Sequence, residues 1–200
     1  MGGCTSKDDS EEEISRKIAV VGDSGVGKTC LIQRFMTNDF DEDTPQEYIA
    51  SALKVEEKEI ELKGKKKVRL FIYDTGGQDT FKHLRKINYL KSDAAIVCFS
   101  VDNHKSFENV KNYWVAEMQK ACPGIPLLLV GNKKDIRNEA RSIENFVREG
   151  EGQNMAKKNK MFSYLECSAK EGEGVKEVFV AIAQEAAKRK KTRKVADSES

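Results

Sequence analysis

The chain has 200 residues, of which 38% are hydrophobic and 34% are charged, and its formal net charge is +2. This length suits one domain with a sizeable core, and the net charge is too small to indicate nucleic acid as the main partner. No apolar run reaches about 18 residues and no signal-peptide pattern is present, so we expect neither a transmembrane helix nor a leader. The five cysteines are widely spaced and form no C-x-x-C pair, which favours reduced thiols in the cytosol over disulfides or zinc.

The first six residues match the N-myristoylation pattern M-G-x-x-x-[ST] and include a neighbouring cysteine. One myristoyl chain on Gly2 would hold a membrane only marginally, and a palmitoyl chain on Cys4 would make the anchor stable. The alternative is an unmodified disordered tail. We expect residues 1–14 to form a flexible N-terminal tail, and we favour its acylation.

The segment Gly22–Thr29 fits G-x-x-x-x-G-K-[ST], the P-loop. An apolar strand, predicted over Arg16–Val21, precedes it, and a helix predicted to end near Thr37 follows it. This context favours a phosphate site over a chance glycine-rich turn. Backbone N–H groups and the helix N-terminus would face the anion, Lys28 would supply a full charge, and the Thr29 hydroxyl would bind Mg²⁺.

A second phosphate-site signal is Asp74–Gln78, which follows the predicted strand Lys65–Tyr73. An Asp at the end of a strand beside a P-loop is where phosphoryl-transfer proteins hold Mg²⁺, which predicts that role for Asp74. The two glycines would let the backbone approach a γ-phosphate. Gln78 could orient a water molecule without being a strong base.

Strands and helices alternate along the rest of the chain, which predicts an α/β fold with a mostly parallel sheet covered on both faces. Trp114 lies at helical spacing among apolar residues and is expected in the core. After the long loop Asn38–Ala52, the predicted elements are the strands Leu53–Leu62, Lys65–Tyr73, Ala94–Ser100, Pro126–Val130 and Met161–Leu165, and the helices Ser106–Ala121 and Val175–Lys188.

Four ordered motifs resemble those of the small Ras-like GTPases over residues 15–188: Gly22–Thr29, Asp74–Gln78, Asn132–Asp135 and Glu166–Lys170. The second half of the chain is most similar in sequence to Rho, whereas the P-loop, with Ser24 before Gly25, is more similar to that of Rab. The resemblance implies a P-loop NTPase fold with a six-stranded sheet, one antiparallel edge strand and a GTPase domain over 15–188.

The resemblance also implies how GTP or GDP is bound. Asp135 would accept hydrogen bonds from guanine, and Asn132 would brace the loops and contact the base edge. The aliphatic chain of Lys133 would cover the ring, and Phe40 would lie against the ring system at the edge of the site. Ser168, Ala169 and Lys170 would close the pocket, with the Ala169 N–H reaching the guanine carbonyl. The P-loop contacts implied are Ser24, Gly25, Val26, Gly27, Lys28, Thr29 and Cys30.

In the switch loops, the resemblance implies that the Gly77 N–H contacts the γ-phosphate and that Gln78 positions the attacking water. The catalytic residues expected are therefore Gln78 and the P-loop residue Lys28, which supplies charge to the outer phosphates. The family has a threonine in the first switch loop that closes on Mg²⁺. Here Ser51 aligns with it after a short insertion, and Thr44 is the other candidate. Gly76 stands where the family usually has alanine.

The function implied is a GTP-hydrolysing molecular switch in Rho-type cytoskeletal or membrane signalling, slow without an activating protein that supplies an arginine. An alternative is a nucleotide-binding scaffold that hydrolyses poorly and has a static effector surface. A third interpretation is a P-loop kinase or ATPase. Such an enzyme needs a second substrate site, and the resemblance assigns the residues available for one to a base pocket.

The partners implied are effectors on the switch loops, an exchange factor and an activating protein, with no nucleic acid beyond the nucleotide. The run from Lys188 to Lys194 is either a solvated helix end or a patch for anionic lipid, and the absence of a prenylation cysteine favours an acylated N-terminus. We expect residues 189–200 to form a flexible tail, basic and then acidic, and the protein to be cytoplasmic, peripheral on the cytosolic face of a membrane.

Overall fold

The computed structural model describes residues 14–40, 54–64, 66–75, 87–139 and 146–189. Within these ranges, six strands form one sheet in the order β2-β3-β1-β4-β5-β6. The strands are β1 (Ile14–Val21), β2 (Lys54–Leu62), β3 (Lys66–Asp74), β4 (Ala94–Ser100), β5 (Leu127–Asn132) and β6 (Ser163–Glu166). The predicted α/β architecture with six strands is confirmed.

The sheet is parallel except at one edge. β1 lies between β3 and β4 and is parallel to both, with Ile18 opposite Ile72 on one side and Ala94 on the other. β2, one of the two edge strands, is antiparallel to β3, which confirms the predicted hairpin. Because the five parallel strands point the same way, their carboxyl ends meet at one edge of the sheet, where ligands bind in such folds.

Helices cover both faces of the sheet. None of the described helices is long and apolar enough to cross a membrane. The helical segments are α1 (Lys28–Thr37), α2 (His104–Asn109), a π-helical turn (Val110–Trp114), α3 (Val115–Ala121), α4 (Ile136–Glu139), α5 (Glu149–Lys158) and α6 (Val175–Ala187).

Two hydrophobic cores result, because successive side chains of a strand point to opposite faces of the sheet. Ile18 and Val20 of β1 pack under α1 and α6, where the rings of Phe35 and Phe179 stack with centroids 3.9 Å apart. The second core contains Ala19, Val21, Trp114 and the other buried side chains beneath α2, α3 and α5. All seven residues of β4 are buried, as expected for a central strand that is covered on both faces.

Among the helices, the structure differs from the sequence-based elements in three places, and one of them is the short helix α4 (Ile136–Glu139), which was not predicted. The strands differ only at their ends, by up to two residues. The predicted helix Ser106–Ala121 begins two residues earlier and is interrupted by the π-helical turn Val110–Trp114. Helix α5 was not predicted; it contains Gly150 and Gly152, and glycine is a poor helix former. Gly152 is needed there because a Cβ at this position would lie 2.2 Å from the ring of Tyr164.

Candidate functional site

The phosphate loop begins at Gly22, directly after β1, where the backbone passes very close to β4. Gly22 has φ +147°, and a Cβ there would lie 2.1 Å from the backbone oxygen of Cys98. Only glycine fits this approach without moving a central strand. The start of the loop is therefore fixed against the middle of the sheet.

Lys28 is the first residue of α1, and its side chain is 6% exposed. Its Nζ donates to the carbonyl oxygens of Gly22 at 2.8 Å and Asp23 at 2.7 Å. The ammonium group thus lies over the loop, beside the N-terminus of α1, whose partial positive charge also favours an anion.

Thr29 and Asp74 are in direct contact. The Thr29 hydroxyl donates to Oδ2 of Asp74 at 2.6 Å, and the Asp74 side chain is 6% exposed at the end of β3. The next residue, Thr75, is fully buried, and its hydroxyl donates to the Val20 carbonyl at 2.6 Å, which holds the end of β3 against β1. A hydroxyl and a carboxylate oxygen are brought together at the mouth of the phosphate loop, the hard oxygen ligands that Mg²⁺ prefers.

Asn132, the last residue of β5, joins the phosphate loop to the loop after β6. Its Nδ2 donates to the carbonyl oxygens of Val26 at 3.0 Å and Gly27 at 3.3 Å, and its Oδ1 accepts from the Ala169 N–H at 3.2 Å. A Cβ on Gly27 would lie 2.4 Å from that Nδ2, and Gly27 has φ +88°. Glycine is therefore required at this position so that the amide of Asn132 can reach the loop.

Asp135 and Ser168 connect the same two loops further from the phosphate loop. The Ser168 hydroxyl donates to Oδ1 of Asp135 at 2.5 Å and accepts from the Glu171 N–H at 2.9 Å. The backbone adds a parallel link, since the Lys134 N–H donates to the Cys167 carbonyl at 3.1 Å. The half-buried Asp135 carboxylate is thus held in one orientation by a fully buried serine.

Lys133 has φ +64°, a left-handed backbone conformation that is uncommon for residues other than glycine. Residues in this conformation are found most often at functional sites. A Cβ on Gly27 would be 3.8 Å from Cε of Lys133, so the lysine's aliphatic chain runs toward the phosphate loop. Phe40 is half-buried and packs against the core under α1 and α6. The Ala169 N–H, expected to reach the guanine carbonyl, donates to Asn132 in this structure.

The remaining predicted contacts differ in exposure. Ser24, Gly25 and Lys170 are exposed, and Cys30 is half-buried. The Val26 side chain is 1% exposed and belongs to the core, so only its backbone can face a ligand.

Two buried thiols lie beneath the site. Burial raises the pKa of the Cys98 thiol to about 12, an effect that the nearby Lys28 and Lys133 only partly offset. Burial also raises the pKa of Cys167 well above its usual value. Both thiols therefore stay protonated and neutral near neutral pH, and they add no negative charge next to the lysine ammonium groups.

Sequence reasoning missed two groups that support these loops. The Asp23 side chain accepts hydrogen bonds from Asn109 and Trp114. Arg137 makes a two-point ion pair with Glu166, which also accepts from the Tyr164 hydroxyl at 2.5 Å. No sequence signal could have identified the partners of Asp23 or the Arg137–Glu166 pair, because these residues lie 29 or more positions apart along the chain.

Several predicted residues lie outside the described part of the chain and stay predictions. They are Gly2, Cys4, Thr44, Ser51, Gly76, Gly77, Gln78 and the basic residues after Arg189.

Comparison with known proteins gives a consistent result. The family model for the Ras family matches residues 17–188. Rho-related GTP-binding protein RhoB of Homo sapiens is 40% identical over 173 residues, covering 83% of this chain and 86% of that protein. RhoB of Mus musculus and RhoB of Rattus norvegicus match with the same identity and coverage. The chain therefore belongs to the Ras family and is a Rho-related small GTPase, a molecular switch that hydrolyses GTP.

Proposed function

We propose that the loops after β1, β3, β5 and β6 form one guanine-nucleotide pocket, with the phosphates on the P-loop and the base at Asp135. The observation that carries this proposal is the position of Asn132, whose single amide group contacts both Gly27 of the P-loop and Ala169 of the last loop. An amide that bridges the two ends in this way sets the distance between a phosphate site and a base site.

At the base end, the Asp135 carboxylate accepts from the N1–H and 2-amino groups of guanine. Adenine offers neither donor there, so binding ATP would leave a desolvated carboxylate unpaired, a loss on the order of 10⁴-fold in preference. Lys133 covers one face of the ring with its aliphatic chain, Phe40 lies against its edge, and Ser168 and Lys170 close the pocket. The Asp135–Ser168 hydrogen bond supports this role because it orients the carboxylate before the nucleotide binds.

At the phosphate end, the backbone N–H groups from Ser24 to Cys30 and the Lys28 ammonium bind the phosphate oxygens. Thr29 and Asp74 are the residues that would hold Mg²⁺, Thr29 directly and Asp74 through water. When bound, the ion neutralises charge on the β- and γ-phosphates. Among the described residues no cluster of three or more His, Cys, Asp or Glu could hold a metal, which fits an ion that takes most of its ligands from phosphates and water.

For hydrolysis, Gln78 orients the attacking water, the Gly77 N–H binds the γ-phosphate, and Ser51 or Thr44 closes the first switch loop. Because Gln78 orients water without being a strong base, an arginine supplied by an activating protein would accelerate hydrolysis by about 10³–10⁵-fold. Effectors would read the two switch loops, and an exchange factor would reopen the pocket.

We also propose that the protein is peripheral on a cytosolic membrane face, with acyl chains on Gly2 and Cys4 and the basic run that begins at Lys188 near anionic lipid. One acyl chain and one basic patch are each weak anchors, and together they give stable binding. Mass spectrometry of the native N-terminus tests the anchor: an unmodified Gly2 would contradict it.

A single-turnover assay of γ-phosphate release tests the catalytic assignment. The wild-type chain should release phosphate slowly with Mg²⁺ and faster with an activating-protein extract, and Gln78→Leu should lose most of that release while binding GTP normally. Release from Gln78→Leu at the wild-type rate would remove Gln78 from the mechanism. Competition between GTP and ATP, run on the same samples, tests the base site separately.

A further inference from the structure

The second residue of the phosphate loop, Asp23, is tied to a helix on the other side of the loop. Its Oδ2 accepts from Nδ2 of Asn109 at 2.6 Å, and its Oδ1 accepts from Nε1 of Trp114 at 2.6 Å. Both bonds are short, and both end on a carboxylate, which roughly doubles their strength relative to neutral pairs. They cross 86 and 91 residues of sequence.

The π-helical turn explains why two residues of one helix can reach the same carboxylate. In a regular α-helix, residues five apart project in directions that differ by about 140°. In the turn Val110–Trp114 the Val115 N–H donates to the carbonyl oxygen of Val110, five residues earlier, which places residues five apart nearly above one another. Asn109 and Trp114 are five apart, so both side chains face Asp23.

Asp23 is held through its backbone as well as through its side chain. The carbonyl oxygen of Asp23 accepts from Nζ of Lys28 at 2.7 Å, while its carboxylate is held by the helix. A free carboxylate in a phosphate loop would repel the bound phosphates. Two N–H donors that draw it toward Trp114 neutralise part of that charge and keep it oriented toward the helix.

We propose that Asp23, Asn109 and Trp114 are positioning residues, which we call the latch. The latch holds the first half of the phosphate loop in its phosphate-binding conformation and slows release of the nucleotide. This inference rests on the proposed phosphate site. The latch does not touch the nucleotide; it acts through the backbone of Asp23 and the ammonium group of Lys28. It also links nucleotide retention to the outer helix that begins at His104.

A purely structural role is the competing explanation, because a buried indole N–H needs some acceptor. The two explanations differ in which ligand they affect. A latch acts on the outer phosphates that Lys28 binds, so its loss should weaken GDP binding and leave GMP, which lacks the second phosphate, unchanged. General softening of the fold should weaken both ligands alike.

The test compares equilibrium affinities for GDP and GMP and the rate of GDP release in full-length protein. Trp114→Phe keeps an aromatic ring in the core but removes the donor, and Asn109→Leu removes the other donor at a half-buried position. We expect each variant to weaken GDP affinity about tenfold, chiefly through faster release, with GMP affinity within about twofold of wild type. Asp23→Asn, which keeps one acceptor oxygen, should show a smaller effect than Asp23→Ala.

The matched control is Met118→Ala, which removes a fully buried side chain from the same helix without touching the loop. It should lower the melting temperature at least as much as Trp114→Phe and leave the ratio of GDP to GMP affinity unchanged. Combining Asp23→Ala with Trp114→Phe should give no more than the larger single effect, since both remove the same bond. The chain has a single tryptophan, so its one indole N–H resonance should shift in Asp23→Asn.

Three results would overturn the latch. GDP affinity within twofold of wild type in Trp114→Phe and Asn109→Leu would show that the bonds do not act on the phosphates. Equal losses for GDP and GMP, or the same change of ratio in Met118→Ala, would reduce the contacts to packing. A different result would contradict the proposed phosphate site itself: equal affinities of the wild-type chain for GDP and GMP.

Discussion

The hydroxyl of Ser168 donates to Oδ1 of Asp135 at 2.5 Å and so joins two loops that are 33 residues apart in sequence. A carboxylate that is already oriented loses less entropy when a base binds, so this bond favours the ligand whose donors match the carboxylate. The Asp135–Ser168 hydrogen bond therefore both joins the two loops of the pocket and favours the base that the pocket selects.

Removing the Asp135 carboxylate should therefore abolish the preference for guanine. We expect Asp135→Ala to lower GTP affinity by at least about 10³-fold while changing ATP affinity little, because adenine makes no bond to this group. Ser168→Ala, which keeps the carboxylate but frees its orientation, should cost about tenfold in GTP affinity. Competition binding with both nucleotides measures the two variants, and an unchanged GTP-to-ATP ratio in Asp135→Ala would contradict the base-site assignment.

The Thr29–Asp74 contact predicts how hydrolysis depends on Mg²⁺. Thr29→Ala removes the hydroxyl oxygen that we propose as a Mg²⁺ ligand, so we expect GTP hydrolysis to fall about tenfold or more and to need a higher Mg²⁺ concentration. Thr29→Ser retains the hydroxyl and serves as the control, with near-wild-type behaviour. Titration of single-turnover hydrolysis with Mg²⁺ gives the measurement, and identical titration curves for Thr29→Ala and wild type would contradict the ligand role.

The Arg137–Glu166 ion pair should stabilise the fold, because it is half-buried and two-pronged. The side chains are 23% and 13% exposed, and a second Arg137 bond goes to the Val147 carbonyl. Glu166→Leu would leave the arginine without its carboxylate, so we expect the free energy of unfolding to fall by about 3 kcal/mol. Denaturant unfolding measures it.

An exposed pair on the hairpin provides the matched control. Nζ of Lys67 and Oε1 of Glu59 are 3.3 Å apart, and the two side chains are 54% and 46% exposed. Glu59→Gln should change the free energy of unfolding by less than about 1 kcal/mol, since solvent screens such pairs. A similar loss in Glu59→Gln and Glu166→Leu would show that burial does not strengthen the Arg137 pair.

The Cys98 thiol predicts a stability loss at alkaline pH. Burial raises its pKa in the folded protein from about 9 to about 12. Below pH 9 the thiol is neutral in both states, and its contribution is fully present. As the pH rises from about 9 to about 12, the unfolded chain ionises first, so the free energy of unfolding should fall by up to about 1.4 kcal/mol per pH unit from this group.

Cys98→Ala isolates that contribution from other groups that titrate in the same range. We expect the variant to have a lower free energy of unfolding than wild type at pH 8, because the substitution creates a cavity. The difference in free energy of unfolding between the two proteins should shrink between pH 9 and pH 11. Denaturant unfolding at several pH values gives the two curves. Parallel curves over this range would show that the Cys98 pKa is not raised by folding.

Much of the fold could be predicted because the relevant signals are local. The continuous apolar residues of β4 can lie only in a covered central strand, and the turn Lys63-Gly64 between polar strands indicates a hairpin. Helix α5 could not be predicted, since Gly150 and Gly152 weaken its local preference and its packing on Tyr164 is a tertiary contact. The roles of Gln78 and Ser51 stay predictions, because both residues lie outside the described ranges.

Sequence alone determined which chemical groups are available for the proposed site: a glycine-rich loop with a lysine, an acidic residue after a strand, and a carboxylate that we propose binds the base. The spacing of glycines and charges within one loop is a local property, so a pattern of a few residues carries it. Only the tertiary structure decided how these loops hold one another. The expected burial of Trp114 was correct, but that its indole N–H would meet Asp23, 91 residues away, depends on the direction of a π-helical turn. A hydrogen bond requires its two atoms within about 3 Å and aligned, and that depends on the packing of the whole sheet.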